Sequence, residues 1–231
     1  MASHVLPLKL ISHQGVVDFP SALDCAVIAG WTGRDHIAME KHIVELEALG
    51  VARPASTPVY YRVAAARLTT APRIEVSGGD SSGEVEFVLV QLQGKLWVGV
   101  GSDHTDRKVE TIGVTISKQL CDKPLAPVLW PYEEVAGHWD QLILRSYILE
   151  GGERVLYQEG PVTTMRDPLD LIAGLKAGAT ALPESAVMYC GTLAAKGGIR
   201  PAARFEFELE DPVLKRSIAH GYDIETLPIA G

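Results

Sequence analysis

Along this chain the apolar residues recur with a period of two far more often than with a helical period. Alternating or continuous apolar runs predict strands over residues 5–11, 23–29, 59–63, 73–77, 84–90, 95–101, 141–149, 154–158, 186–191 and 203–210. Gly15 and Pro20 punctuate the first two, and Gln91-Leu92-Gln93-Gly94 joins 84–90 to 95–101 as a hairpin. Two segments read as helices. Over 34–49, Ile37, Ile43, Leu46 and Leu49 recur at near-helical spacing, with Asp35 near the start and Gly50 after the end. Over 167–176, Pro168 falls in the first turn, where its missing N–H costs nothing. Residues 109–121 carry both signals: Val109, Ile112, Ile116 and Leu120 fit a helix, whereas the β-branched content resists one. The pattern predicts an α+β, β-rich fold without the regular βαβ alternation of a Rossmann fold. No Gly-x-Gly-x-x-Gly or phosphate loop occurs, so nucleotide binding has no support.

Bulk properties narrow the function classes. With 231 residues, 47% of them hydrophobic and 22% charged, the chain can bury a sizeable core. Its formal charge of −8 argues against nucleic acid or an anionic membrane as the main partner. No apolar run approaches the roughly 20 residues of a membrane span, and the first residues lack the charged-then-apolar order of a secretory signal. Cys25, Cys121 and Cys190 lie far apart without metal-type spacing. They are read as reduced thiols in a cytoplasmic protein, Cys190 being a small core residue.

The candidate chemistry is concentrated between Gly83 and Lys118. Glu84 and Glu86 are two apart on a strand, so both side chains leave one face while Val85, Phe87 and Leu89 leave the other. Burying two carboxylates side by side costs several kcal/mol unless a cation compensates, on the order of what an unpaired buried charge costs. Such a strand is either a solvated face or a metal site. Asp103, returning antiparallel beside them, completes three hard oxygen ligands suited to Mg²⁺ or Mn²⁺, with Ca²⁺ also admitted. Asp103-His104-Thr105-Asp106-Arg107-Lys108 is either a solvated turn or a segment that gives Asp103 to the metal and Arg107 to an anionic substrate group. Lys118 lies between Ile116 and Leu120 in a partly apolar context. His36 and Glu40, four apart on the predicted helix, are either a surface pair or a polarised general base.

The order of these motifs resembles the fumarylacetoacetate hydrolase superfamily. Glu84-x-Glu86, Asp103-x-x-x-Arg107, Lys118 followed by Asp122, and a late Gly191-Thr192 turn match its sequence of site motifs. Arg154 to Gly160, with Gln158, resembles its strand-Gln-Gly element, Leu182-Pro183-Glu184 its approach to the Gly-Thr turn, and Phe205 to Leu209 its closing strand. The likeness covers about residues 25–215, with 1–24 as an N-terminal strand region of one domain spanning 1–231. Gly-Ser-Asp-His-Thr-Asp-Arg-Lys at 101–108, Ser-Lys-Gln-Leu-Cys at 117–121 and His138-Trp139-Asp140 resemble a bacterial branch defined only as a domain of unknown function.

That resemblance implies a mixed β-sandwich roll that forms a homodimer and takes small anionic oxo-acids as substrates. It implies Mg²⁺ or Mn²⁺ held by Glu84, Glu86 and Asp103, with Lys118 adding positive charge at a developing oxyanion. It places Arg107, Gln158 and Thr192 on the substrate, and His36 with Glu40 as the pair that activates water. Four departures stand out, one being a hairpin between Glu86 and Asp103 that is short for that family. Glu40 follows His36 by four rather than three, the usual Asn-Tyr before the His is absent, and Glu110 replaces a common Gln three after the Arg. The first reading is a metal-dependent hydrolase of a C–C bond in a dioxo-acid or acylpyruvate-like compound. Decarboxylation, hydration or keto-enol isomerisation of a 2-oxo acid on the same site is the second, and a non-catalytic ligand-binding protein the third.

Overall fold

The computed structural model describes residues 4–48 and 53–230. Two sheets carry the molecule. The larger has eight strands in the order Gly15–Leu23, His4–Ser12, Val128–Pro131, Lys95–Ser102, Val85–Leu92, Ala186–Thr192, Cys25–Gly30 and Val59–Val63. The smaller has five, in the order Glu153–Pro161, Ile143–Glu150, Arg204–Asp211, Arg216–Leu227 and Arg73–Ser77. Parallel and antiparallel pairs mix in both. The β-rich α+β class follows from the period-two pattern, as expected.

The strand Val85–Leu92 is central, and all eight of its residues are buried. Its side chains alternate between two cores because a strand's pleat sends neighbours to opposite faces. Val85, Phe87 and Leu89 join the core between the sheets, with Val100, Trp139, Phe205, Phe207 and Tyr222. Val88 and Val90 join a second cluster with Leu6, Leu8, Leu10, Val187 and Tyr189. Glu86 shares the face of Val88 and Val90, so it is a carboxylate on a strand with no solvent side. The hairpin turn falls at Gln93-Gly94, both at positive φ (56° and 69°). Their N–H groups donate to Glu184 at 2.6 and 3.1 Å, which satisfies the turn.

Helical segments hold some surprises. One helix runs Pro168–Leu175, and its Asp167 cap accepts from the Leu169 N–H at 2.8 Å. The other long helix is His36–Ala48; the expected Leu49 end and Gly50 stop lie outside the described residues. Ile43 is buried there, but Ile37 is 85% exposed, so the expected apolar face is only partly formed. Residues 109–121, which carried both signals, form two short helices, Arg107–Glu110 and Val114–Leu120, parted by Gly113. The second is inverted relative to its apolar pattern: it buries Ser117 and Lys118 while Ile116 and Leu120 stay exposed.

Three strands of these sheets escape the sequence pattern, the short Val128–Pro131 among them. Gly15–Leu23 contains Pro20, read above as punctuation; the strand is the sheet's edge, where a missing N–H breaks no ladder. Arg216–Leu227, not the 203–210 segment, closes the fold, and only Ile218 and Tyr222 of its residues are buried. No helix among the described residues is long and apolar enough to cross a membrane.

A candidate metal centre

The Val85–Leu92 and Lys95–Ser102 strands pair antiparallel, with Glu86 opposite Gly101. A side chain at position 101 would press on Tyr189 and the Pro124 carbonyl at 2.7 Å, so the close packing there requires glycine. The Asp103 N–H donates to the Glu84 carbonyl at 3.0 Å, which turns Asp103 back beside the two glutamates. Oxygens of Glu84, Glu86 and Asp103 all lie within 4.8 Å of one another. Glu86 is 2% and Asp103 0% exposed, so the solvated-face reading is excluded.

Each carboxylate is held in place by neighbouring donors or cations. Glu84 Oε1 is 3.1 Å from Arg107 Nη2. Glu86 Oε2 accepts from the Gly191 N–H at 2.7 Å. Asp103 Oδ1 lies 2.9 Å from Lys123 Nζ. The Lys118 ammonium contacts Asp103 Oδ2 and stands 3.6 Å from Glu84 Oε2. Gly191 sits at φ 95°, and a Cβ on it would fall 1.8 Å from Thr32 Oγ1. Only glycine therefore presents its N–H to Glu86 in this turn.

Burial and charge divide the carboxylates. Burial alone would raise Asp103, but the Lys118 and Lys123 ammoniums outweigh it and hold the carboxyl down at about 2. Glu86 goes the other way: burial first, then the Asp103 and Glu84 charges, push it well above the usual range. Burial disfavours the Lys118 charge, yet Asp103, Glu84 and Glu86 together hold its ammonium firmly protonated. Behind the cluster, His104 is fully buried between the Tyr222 hydroxyl at 2.8 Å and Ser81 Oγ at 2.9 Å. Burial, then Lys123 and Arg107, push it down to about 3, so it is a neutral brace.

The donor set fits a divalent cation. Oxygens lying roughly 2.0–2.6 Å from one ion are no more than about 4–5 Å apart, so one ion can touch all three carboxylates. Glu86, whose charge is disfavoured by burial and by the neighbouring carboxylates, gains a counter-charge there. Hard carboxylate oxygens without sulfur or imidazole suit Mg²⁺, Mn²⁺ or Ca²⁺.

The other expected residues divide. Arg107 reaches the cluster through Glu84, but Glu110 Oε2 at 3.0 Å and Ser82 Oγ at 2.7 Å share its guanidinium. It lines an open cleft of about 460 Å³ with Asp80, Lys108, Glu110 and Arg200. The Gln158 amide is engaged at both ends within the protein. Its Oε1 accepts from the Val85 N–H (3.0 Å) and the Ser146 hydroxyl (2.8 Å), and its Nε2 donates to Thr192 Oγ1 (2.9 Å) and the Leu193 carbonyl (2.6 Å). The Thr192 hydroxyl in turn donates to the Val85 carbonyl at 2.7 Å, so its proton is already engaged. These bonds bolt the strands that carry Glu86 and Gly191. On the helix, Glu40 is paired with Arg53 rather than with His36, which is exposed. His138 pairs with Asp211 at 2.9 Å, and Trp139 stacks edge-on against Phe87 at 5.0 Å, both structural.

Two features of the centre were not read from the sequence. Lys123 has no motif of its own; its only sequence signal is a lysine at the head of the otherwise apolar Pro124 to Leu129 run. The Gly191 N–H is a backbone donor, visible in sequence only as a glycine.

Comparison with known proteins agrees with this architecture. A family model described as "Protein of unknown function (DUF2848)" matches residues 29–222, which take in every candidate site residue. No curated protein matches the chain. Among solved structures, a fumarylacetoacetate hydrolase family protein from yeast is similar, with a TM-score of 0.64 at 17% identity, over 90% of this chain and 95% of that one. A 2-keto-3-deoxy-D-arabinonate dehydratase complexed with magnesium and 2,5-dioxopentanoate is similar with a TM-score of 0.62 at 14% identity, over 95% of this chain and 79% of that one. At these identities the likeness shows a shared fold, the fumarylacetoacetate hydrolase type.

Proposed function

Given that the chain belongs to the DUF2848 family, we propose that it is a divalent-metal enzyme acting on a small anionic oxo-acid, and that it hydrolyses a C–C bond in a dioxo-acid or acylpyruvate-like substrate. The observation that carries the reading is the convergence of the Glu84, Glu86 and Asp103 oxygens within 4.8 Å, buried and surrounded by fixed cations. A similar fold has been crystallised with magnesium and a dioxo compound, which supports both the metal and the substrate class.

When bound, the cation supplies Lewis acidity that stabilises enolate charge on the substrate. The chain's own residues do the rest. Lys118, seated among the carboxylates, offers its ammonium to negative charge developing on a substrate oxygen. Arg107 orients the substrate from the cleft wall, with its charge balanced by Glu84 and Glu110. The segment before the helix reaches the centre: Thr32 donates to the Cys190 carbonyl at 3.0 Å, next to Gly191. His36, which starts the helix four residues on, is the base assigned to water activation.

A second reading is favoured by the pairing of Glu40 with Arg53, which leaves His36 without its expected carboxylate. In that case the same centre decarboxylates, hydrates or isomerises a 2-oxo acid, reactions that do not need His36. A panel of acylpyruvates and 2-oxo acids, assayed with Mg²⁺ or Mn²⁺ and after EDTA, separates the two. His36→Ala is expected to lower hydrolysis by at least about 10²-fold while sparing decarboxylation. Normal hydrolysis by that variant sinks the assignment of His36, and absence of any metal-dependent turnover leaves a binding protein.

A further inference from the structure

The open cleft beside the centre has a charge pattern of its own. One guanidinium parts the two: Arg107 Nη2 lies 3.1 Å from Glu84 Oε1, and Nη1 donates to Glu110 Oε2 at 3.0 Å on the cleft side. Arg107 Nε donates to Ser82 Oγ at 2.7 Å, so each of its nitrogens is engaged. Arg200, the second arginine of the lining, is equally committed. Its Nε and Nη2 donate to the two Glu150 oxygens at 2.6 and 3.0 Å, and its Nη1 to the Lys196 and Gly198 carbonyls at 2.9 and 3.0 Å. The groups left over are mixed in sign. Lys108 and Asp80 are exposed at the cleft, and neither has an ion-pair partner among the described residues. Glu110 Oε1 is likewise without a partner among them. Glu110 ends the short helix Arg107–Glu110, whose Asp106 cap accepts from the Val109 N–H at 2.9 Å.

We propose that Glu110 is a specificity-determining residue: it makes the cleft reject a carboxylate at the far end of the substrate and accept a hydroxyl there. An arginine fork recognises a carboxylate when it is unopposed. Here both forks are occupied by glutamates. With those partners included, the three cations Arg107, Lys108 and Arg200 stand against four carboxylates, Asp80, Glu110, Glu84 and Glu150. A terminal carboxylate entering the cleft meets Glu110 and Asp80, with only the Lys108 ammonium in its favour. It also brings no proton for Glu110 Oε1, whereas a hydroxyl donates to that oxygen and accepts from Lys108 Nζ. Discrimination of this kind works through the repulsive element as much as the attractive one. The proposal rests on the oxo-acid reading of the preceding subsection, which puts the head group at the carboxylate centre, and adds to it the chemistry of the other end.

The test compares two acids of equal length that share a 2-oxo acid head, 2-oxoglutarate and 5-hydroxy-2-oxopentanoate, with pyruvate as the head alone. Binding to the full chain in excess Mg²⁺ is followed by isothermal titration calorimetry. The wild type is expected to bind the hydroxy acid at least about tenfold tighter than 2-oxoglutarate. Glu110→Gln, whose amide donates to a carboxylate and no longer offsets Arg107, is expected to shrink that ratio by at least about tenfold. Glu110→Ala, which removes the charge without adding a donor, is expected to shrink it as well. A wild type that prefers 2-oxoglutarate or does not discriminate, or a ratio unchanged in both variants, overturns the proposal and leaves the metal-enzyme reading standing. Binding of pyruvate without either longer acid does the same. Failure of all three acids to bind overturns the oxo-acid reading and this proposal with it.

Discussion

Asp103→Asn is expected to cost the metal-free protein about 3–5 kcal/mol of folding stability, the range for removing one partner of a buried ion pair. The substitution keeps the shape of the side chain but leaves Lys118 and Lys123 buried without their common counter-charge. Against the roughly 5–15 kcal/mol that holds a typical domain together, that loss brings unfolding close to ordinary conditions. Urea titration of both proteins measures it, and a loss below about 1 kcal/mol would mean that the three charges are far better solvated than their burial implies. Adding Lys123→Met to Asp103→Asn should recover part of the loss, because the orphaned charge is then removed as well. The same group predicts a pH dependence. Its folded value of about 2 lies below the roughly 3.9 of an unfolded aspartate, so its contribution is complete above about pH 4 and is lost as pH falls toward 2.

Glu86→Gln is expected to act in the opposite direction without metal, and to erase the response to metal. Glu86 is pushed up by burial and by two neighbouring carboxylates. Between the unfolded value of about 4.3 and its higher folded value the native state holds the extra proton, so metal-free stability declines as pH rises through that window. A neutral amide escapes the decline while still accepting from the Gly191 N–H. With Mg²⁺ or Mn²⁺ at 100 times its dissociation constant, the wild type should gain about 2.7 kcal/mol, and the variant little. Melting curves in EDTA and in excess metal, across neutral pH, give both numbers. A wild type that melts identically with and without metal reduces the three carboxylates to a structural charge cluster.

Much of the scaffold could be read from side-chain pattern: the strand at 73–77 obeys simple alternation, and it and the apolar strand at 59–63 match the structure to the residue. The carboxylate trio was readable for the same reason: period two puts Glu84 and Glu86 on one face, and a short hairpin returns Asp103 beside them. What stayed hidden depends on relations that periodicity does not encode. The Val114–Leu120 helix turns its polar side inward because Lys118 and Ser117 have partners there, at Asp103 and at the Asp106 carbonyl (2.5 Å). Arg216–Leu227 carries only two buried apolar residues, too few to mark a twelve-residue strand. Gln158 and Thr192 sit in the expected motifs, but which way an amide or hydroxyl points is decided by strands distant in sequence. Lys123 was missed because a fully buried lysine looks, in sequence, like any other lysine.

The central strand has a consequence for how the protein breathes. Native-state opening proceeds by cooperative units, and those with the most buried contacts open only with the whole molecule. Val85–Leu92 is buried on both faces and lies in the middle of the larger sheet, so its amides belong to the last unit to exchange with solvent. Glu86 rides on that unit, whereas Lys118 rides on a short helix at the rim whose Ile116 and Leu120 face outward. The centre thus joins the slowest and one of the more loosely packed parts of the chain. Traffic into and out of it can be set by fluctuations of the rim helix, while the carboxylate floor keeps its geometry through every opening short of global unfolding.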